Sequence, residues 1–176
     1  MRVIAGTLKG RRLVAPPAGD LRVRPTSDRA REALYSILQC WPQGPFLDLC
    51  AGMAAVGLEA LSRGYEPVTC LEAVEPGWSC LRRNAEGTPL ILLRKDVLSA
   101  RPGDFRDQAV VFLDPPYSQS AQVWASLAGR LRSWIAPGGI LVFETDGKTS
   151  LELQPGWKSA ETREYGAARF HFWFPA

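Results

Sequence analysis

The sequence is short of the groups on which two large classes of enzyme depend. It holds one histidine, His171, and four cysteines, Cys40, Cys50, Cys70 and Cys80, with no C-x-x-C pair among them. Paired Cys/His spacings are therefore missing, which argues against a structural or catalytic zinc site and against a mechanism built on a histidine base. Each cysteine sits in an apolar or helical stretch and is expected to be a reduced core thiol. No apolar run approaches the roughly 20 residues that a membrane span needs, and the opening M-R-V-I-A-G-T-L-K-G lacks the apolar core of a secretory signal. A cytoplasmic protein without membrane contact is expected.

What is present is ordinary in bulk and uneven in distribution. The 176 residues are 46% hydrophobic and 22% charged, with a mean hydropathy of -0.09, as in a folded globular domain. The net charge of +3 is not spread evenly. Residues 1–45 hold eight Arg and Lys against three acids, and residues 46–176 hold thirteen against fifteen. A basic arm, residues 1–45, joined to a near-neutral body, residues 46–176, is the distribution expected of a polyanion-binding extension on a catalytic domain.

In the arm, residues 2–7 alternate and residues 11–15 follow a turn at Leu8-Lys9-Gly10, which predicts a hairpin ended by Pro16, Pro17 and Gly19. Thr26, Ser27 or Asp28 then caps a helix whose apolar positions are Ala30, Leu34, Ile37, Leu38 and Trp41, with Arg29 and Arg31 off that face. From Pro45 the pattern becomes short buried strands alternating with helices. Strands are predicted at 45–49, 67–72, 90–93, 109–114 and 140–144, and helices at 54–63 and 76–85. A further helical stripe runs through Val123, Trp124, Leu127, Leu131, Trp134 and Ile135, followed by a turn at A-P-G-G. Strand, helix, strand in about 30 residues reads as a right-handed crossover in a parallel α/β sheet. The end, 157–162 and 168–174 around Tyr165-Gly166, reads instead as two strands joined by a turn.

Three features carry chemistry. The first is D-L-C-A-G-M-A-A-V-G, residues 48–57, between a predicted strand and helix. There a glycine lets backbone approach a ligand and the helix start offers amides. Gly52, Ala54 and Gly57 occupy the positions of a degenerate G-x-G-x-x-G, a spacing that a nicotinamide site or a bare strand-to-helix turn would also satisfy. The second is a pair of acids at strand ends. Glu72 is placed to accept two ribose hydroxyls, and Asp96 to accept from an adenine amine. The third is D-P-P-Y, residues 114–117, directly after an apolar strand. Two prolines fix the backbone and remove amide donors, leaving acceptors such as Asp114 and the Pro115 carbonyl to orient both hydrogens of an exocyclic amine, while Tyr117 stacks on a displaced base.

These stretches, with R-V-I-A-G-T-L-K-G-R-R-L at the start and R-V-R-P-T-S-D-R-A-R-E-A-L before the body, resemble class I S-adenosylmethionine-dependent methyltransferases acting on nucleobase amines. They are most similar to the RsmD-type family, which methylates the N2 amine of a guanine in 16S ribosomal RNA. The resemblance spans nearly the whole chain and implies a Rossmann-like, mostly parallel sheet with an antiparallel C-terminal strand, preceded by a small basic β-hairpin and helix. It implies that Asp48, Ala51 and Gly52 line the methionine end of S-adenosylmethionine, Glu72 its ribose and Asp96 its adenine. Asp114, Pro115, Pro116 and Tyr117 would hold the target base. Arg11, Arg12, Arg24, Thr26, Arg29 and Arg31 would meet RNA, either 16S ribosomal RNA or a small-subunit assembly intermediate, and the protein would act as a monomer without a metal. Two positions depart from the family pattern. Met53-Ala54 replaces the usual S-G, and Val74 stands where an acid two residues after Glu72 is usual, with Glu75 beside it. The rival readings are an N6-adenine methyltransferase, a non-catalytic RNA-binding assembly factor, and, last, a nicotinamide oxidoreductase.

Overall fold

The computed structural model describes residues 1–17 and 26–176, so Gly19 and Arg24 lie outside the described residues. In chain order the elements are α1 (Asp28–Leu38), β1 (Phe46–Leu49), α2 (Ala55–Ser62), β2 (Val68–Leu71), α3 (Gly77–Ala85), β3 (Ile91–Leu93), β4 (Gln108–Leu113), α4 (Ser120–Arg132), β5 (Ile135–Asp146), β6 (Trp157–Tyr165) and β7 (Ala168–Pro175). Single 3-10 turns occupy Val97–Ser99 and Tyr117–Gln119. The strands form one sheet in the order β3-β2-β1-β4-β5-β7-β6. The first five strands are parallel to one another, and β7 runs antiparallel to both its neighbours.

The alternation of side chains along the strands makes two cores. Phe46, Val68, Cys70, Val110 and Phe112 face α1, α2 and α3 through Leu34, Tyr35, Leu58 and Leu81. Leu47, Leu49, Leu71, Val111 and Leu113 face α4 through Val123, Trp124, Leu127 and Leu131. With both faces covered, the central strands are buried along nearly their whole length and are mostly apolar, the condition of a parallel sheet. The chain steps outward from β1 to β3 and then returns to β4 on the other side of β1, so the loops after β1 and β4 part and leave a crevice at the carboxyl edge. Among the described residues no helix is long and apolar enough to cross a membrane.

Several expectations are corrected. The N-terminal hairpin is present but short: Arg2 bridges Arg12, with Val3 N–H donating to the Arg11 carbonyl, Gly10 N–H to the Val3 carbonyl and Leu13 N–H to the Met1 carbonyl. Pairing goes no further because the amides between them donate to the body: Ile4 and Ala5 N–H to Glu59 at 2.7 and 3.0 Å, and Thr7 and Leu8 N–H to the Ser62 carbonyl and hydroxyl. The A-P-G-G turn lies inside β5, where the register slips between Gln108 and Val110 of β4 and Gly138 takes φ +78. Cys40 is exposed in the turn after α1, whereas Cys70 and Cys80 are buried. Ser27 is the residue that caps α1, its hydroxyl accepting from Ala30 N–H at 3.2 Å.

Arg31 differs most from expectation. It stands three, four and seven residues before Leu34, Tyr35 and Leu38, hence on the inward face of α1, and is 0% exposed. Its guanidinium donates to the Thr26 carbonyl, the Arg2 carbonyl and Asp28. It is an internal strut between the helix start and the N-terminal segment.

Candidate active site

The loops that follow β1 to β4 enclose a cleft of about 620 Å³, within the roughly 300–1,000 Å³ typical of small-molecule sites. Its wall contains Asp48, Ala51, Gly52, Glu72, Asp96, Asp114, Pro115, Pro116 and Tyr117, so both sets of residues singled out in the sequence share one space. Thr26 joins them from the arm. Arg11, Arg12, Arg29 and Arg31 do not.

The loop after β1 is coiled by three left-handed residues in close succession, Cys50 (φ 65), Gly52 (φ 55) and Ala54 (φ 64). Ala54 donates its N–H to the Ala51 carbonyl at 2.7 Å, closing the turn that starts α2. Met53 is 1% exposed, its side chain sharing the core beneath the loop. Gly57 has to be glycine for packing reasons. A Cβ there would lie 2.4 Å from the Cys70 sulfur and 3.2 Å from Asp48, and the close approach lets the Gly57 N–H donate to Asp48 Oδ2 at 2.9 Å.

Asp48 is 1% exposed on β1, and its pKa is pushed up to about 8, first by burial and then by Glu72 and Glu144, against the pull of the Gly57 amide. Glu72, at the end of β2, accepts from Gly52 N–H and Val74 N–H, each at 2.7 Å. Two amide donors fix the carboxylate, and each oxygen retains a second lone pair for a ligand hydroxyl. Val74 is 52% exposed at the rim of the cleft. Glu75 does not take up the missing acid's place: it turns to Ser79 and Arg94. Asp96 is exposed and caps the Val97–Ser99 turn through Leu98 N–H at 2.8 Å. The burial-raised thiol of Cys50 also feels Asp114, Glu72, Asp48 and Asp96 together. A cleft with so many carboxyl groups favours a cationic ligand such as a sulfonium.

At the other end, Asp114 N–H reaches the Leu49 carbonyl at 3.4 Å, extending the β1–β4 pairing as the D-P-P-Y loop begins. Pro115 is buried and Pro116 exposed, and the Pro116 carbonyl accepts from Gln119 N–H at 2.7 Å, which turns the chain back into α4. The Tyr117 hydroxyl donates to Glu144 Oε1 at 3.3 Å and the Thr26 hydroxyl to Glu144 Oε2 at 2.8 Å.

Thr26 is 6% exposed, a wall residue and not an outward phosphate contact. Arg11 donates to the Asn84 and Glu86 carbonyls at 2.9 and 2.5 Å, neutralising the carboxyl end of α3. Arg12 and Arg29 are exposed, and Arg29 shares a second hollow, about 380 Å³, with Arg2 and Lys9.

Three residues of consequence escaped sequence reasoning. Glu144 ends the apolar run of β5, one residue beyond the Leu113–Phe143 pair, as Asp114 does on β4; an acid interrupting L-V-F at a strand end was the available signal. Glu59 gathers Ile4 and Ala5, and Asn84 bridges Val14 to the Met53 carbonyl. Apart from the Glu59–Arg63 ion pair four residues apart, these partners are 31 to 70 residues distant and leave no local signature.

A doubly wound sheet with an added antiparallel strand, and an acidic cleft where β1 and β4 part, define a class I S-adenosylmethionine-dependent methyltransferase. The family described as "Conserved hypothetical protein 95" matches residues 1–174. The chain belongs to it, the RsmD-type enzymes that methylate ribosomal RNA. It is 29% identical over 181 residues to "Ribosomal RNA small subunit methyltransferase D" of Haemophilus influenzae, covering 98% of this chain and 93% of that protein. Its fold is similar to a Thermus thermophilus hypothetical protein, with a TM-score of 0.83 and 27% identity over 100% and 99% of the two chains. In fold alone it is similar to an RNA methyltransferase from Salinibacter ruber in complex with S-adenosyl-L-homocysteine, with a TM-score of 0.63 and 18% identity over 85% and 92% of the two chains.

Proposed function

We propose that this enzyme methylates the N2 amine of a guanine in 16S ribosomal RNA. The observation that carries the reading is the single cleft in which the acids of the β1, β2 and β3 loops face D-P-P-Y. When bound, S-adenosylmethionine supplies an electrophilic methyl on a sulfonium. Asp48, Ala51 and Gly52 hold its methionine end, Glu72 its ribose hydroxyls and Asp96 its adenine amine. A protein of similar fold, the Salinibacter ruber RNA methyltransferase, is in complex with S-adenosyl-L-homocysteine, which supports a cofactor of this class.

The protein's contribution to the reaction is orientation. The lone pair of guanine N2 is conjugated with the ring, so the amine attacks only when its hydrogens are held. Asp114 and the Pro115 carbonyl accept those two hydrogens, Pro116 keeps the loop rigid, and Tyr117 stacks on the base. Once methylated, the amine would be an acidic ammonium able to lose a proton to solvent, so these residues need only hold and orient it. No strong base is required, in keeping with the position of His171 on β7, outside the cleft wall.

For the arm we propose phosphate contacts by Arg12 and Arg29, with Arg2 and Lys9 beside Arg29. Asp114→Ala is expected to lose nearly all turnover on small-subunit RNA while retaining affinity for S-adenosyl-L-homocysteine. Turnover is followed by the mass of the methylated nucleoside. Full activity in that variant would sink the role given to the tetrad, and N6-methyladenosine as product would replace the guanine assignment.

A further inference from the structure

We infer that Glu144 is a positioning residue for the acceptor base, acting through the hydroxyls of Tyr117 and Thr26; this rests on the base-stacking role proposed for Tyr117. Glu144 is 3% exposed at the end of β5, while both residues that donate to it line the cleft. One carboxylate thus accepts Tyr117 at 3.3 Å and Thr26 at 2.8 Å across chain separations of 27 and 118 residues.

The arrangement solves a specific problem. Tyr117 opens a short 3-10 turn after two prolines and is only half-buried, so packing alone leaves its ring several rotamers. Anchoring the phenol to a buried acid fixes the axis of the ring, and with it the place in the cleft where a base can stack. The second oxygen holds Thr26, the residue before the Ser27 cap of α1. The helix of the basic arm and the catalytic loop are therefore registered on the same atom pair. A base delivered by RNA lying on the arm meets a stacking surface whose position relative to that arm is set by Glu144.

The test uses the full chain with small-subunit RNA, comparing kcat, KM for RNA and affinity for S-adenosyl-L-homocysteine. Tyr117→Phe keeps the ring and removes only the hydroxyl. Glu144→Gln and Tyr117→Phe are each expected to lower kcat by about tenfold, with KM for RNA and product affinity little changed, and the double variant to be no slower than the slower single. Multiplying losses in the double variant would overturn the inference, since Glu144 would then act other than through Tyr117. Should Glu144→Gln not fold, Tyr117→Phe and Thr26→Val decide: undiminished kcat in both overturns it. Failure of the underlying reading is distinguishable, because it is seen as full activity of Asp114→Ala or as absent guanine methylation by the unaltered enzyme.

Discussion

At the scale of single residues, Asp48 makes the protein's stability depend on pH in an unusual direction. Its folded pKa of about 8 lies above the ordinary 3.8, so between those values the folded chain keeps a proton that the unfolded chain releases. Stability from this group is fully present near pH 4 and declines as pH rises toward 8. His171 has the opposite slope: burial depresses its pKa from 6.5 to about 4, so stability is lost as pH falls through that window. Asp48→Asn, which can still accept the Gly57 amide, is expected to abolish the decline between pH 6 and 8 in urea unfolding midpoints. An equal decline in variant and parent would contradict the raised pKa. The presence of Asp48 in the site was legible from the strand-turn-helix pattern. Its protonation was not, since burial is supplied by α2 and the neighbouring strands.

Among elements, the joint between arm and α2 decides whether the arm has a fixed place. Glu59 is 0% exposed and accepts the Ile4 and Ala5 amides as well as Arg63. Gly6 packs so closely on the end of α2 that a Cβ would lie 1.7 Å from the Ser62 carbonyl oxygen. Glu59→Ala leaves two amides without their acceptor and is expected to lower stability by about 2–4 kcal/mol, as read by chemical denaturation. The same variant should weaken RNA binding more than product binding, because the arm loses its seat while the β1 loop does not. Unaltered stability would show that the arm is held by other means. From the sequence the hairpin looked self-sufficient. It is not, because Ile4, Ala5, Thr7 and Leu8 N–H donate to α2, whereas Val3, Gly10 and Leu13 N–H donate across the hairpin.

For the whole molecule, the uneven charge identifies a surface but not which arginines make it. Arg12 and Arg29 are exposed, whereas Arg11 caps α3 and Arg31 is buried. Replacing Arg12 and Arg29 together by Ala is expected to reduce the slope of log affinity for RNA against log salt by about 1.5–2. Arg31→Ala should instead appear as lost stability. An unchanged slope in the double variant would remove both residues from the phosphate contact. The succession of strands and helices, the glycine loop after β1, and the placing of Glu72, Asp96 and D-P-P-Y at strand ends could all be read in the linear chain, because each depends on neighbours in sequence: periodicity, a glycine turn, an acid at a strand end, a proline pair. Which arginines are buried, where the arm docks, and the sharing of Glu144 between Tyr117 and Thr26 were decided only by the tertiary structure. Those features depend on residues 27 to 118 apart that meet only after the sheet has brought its strand ends together.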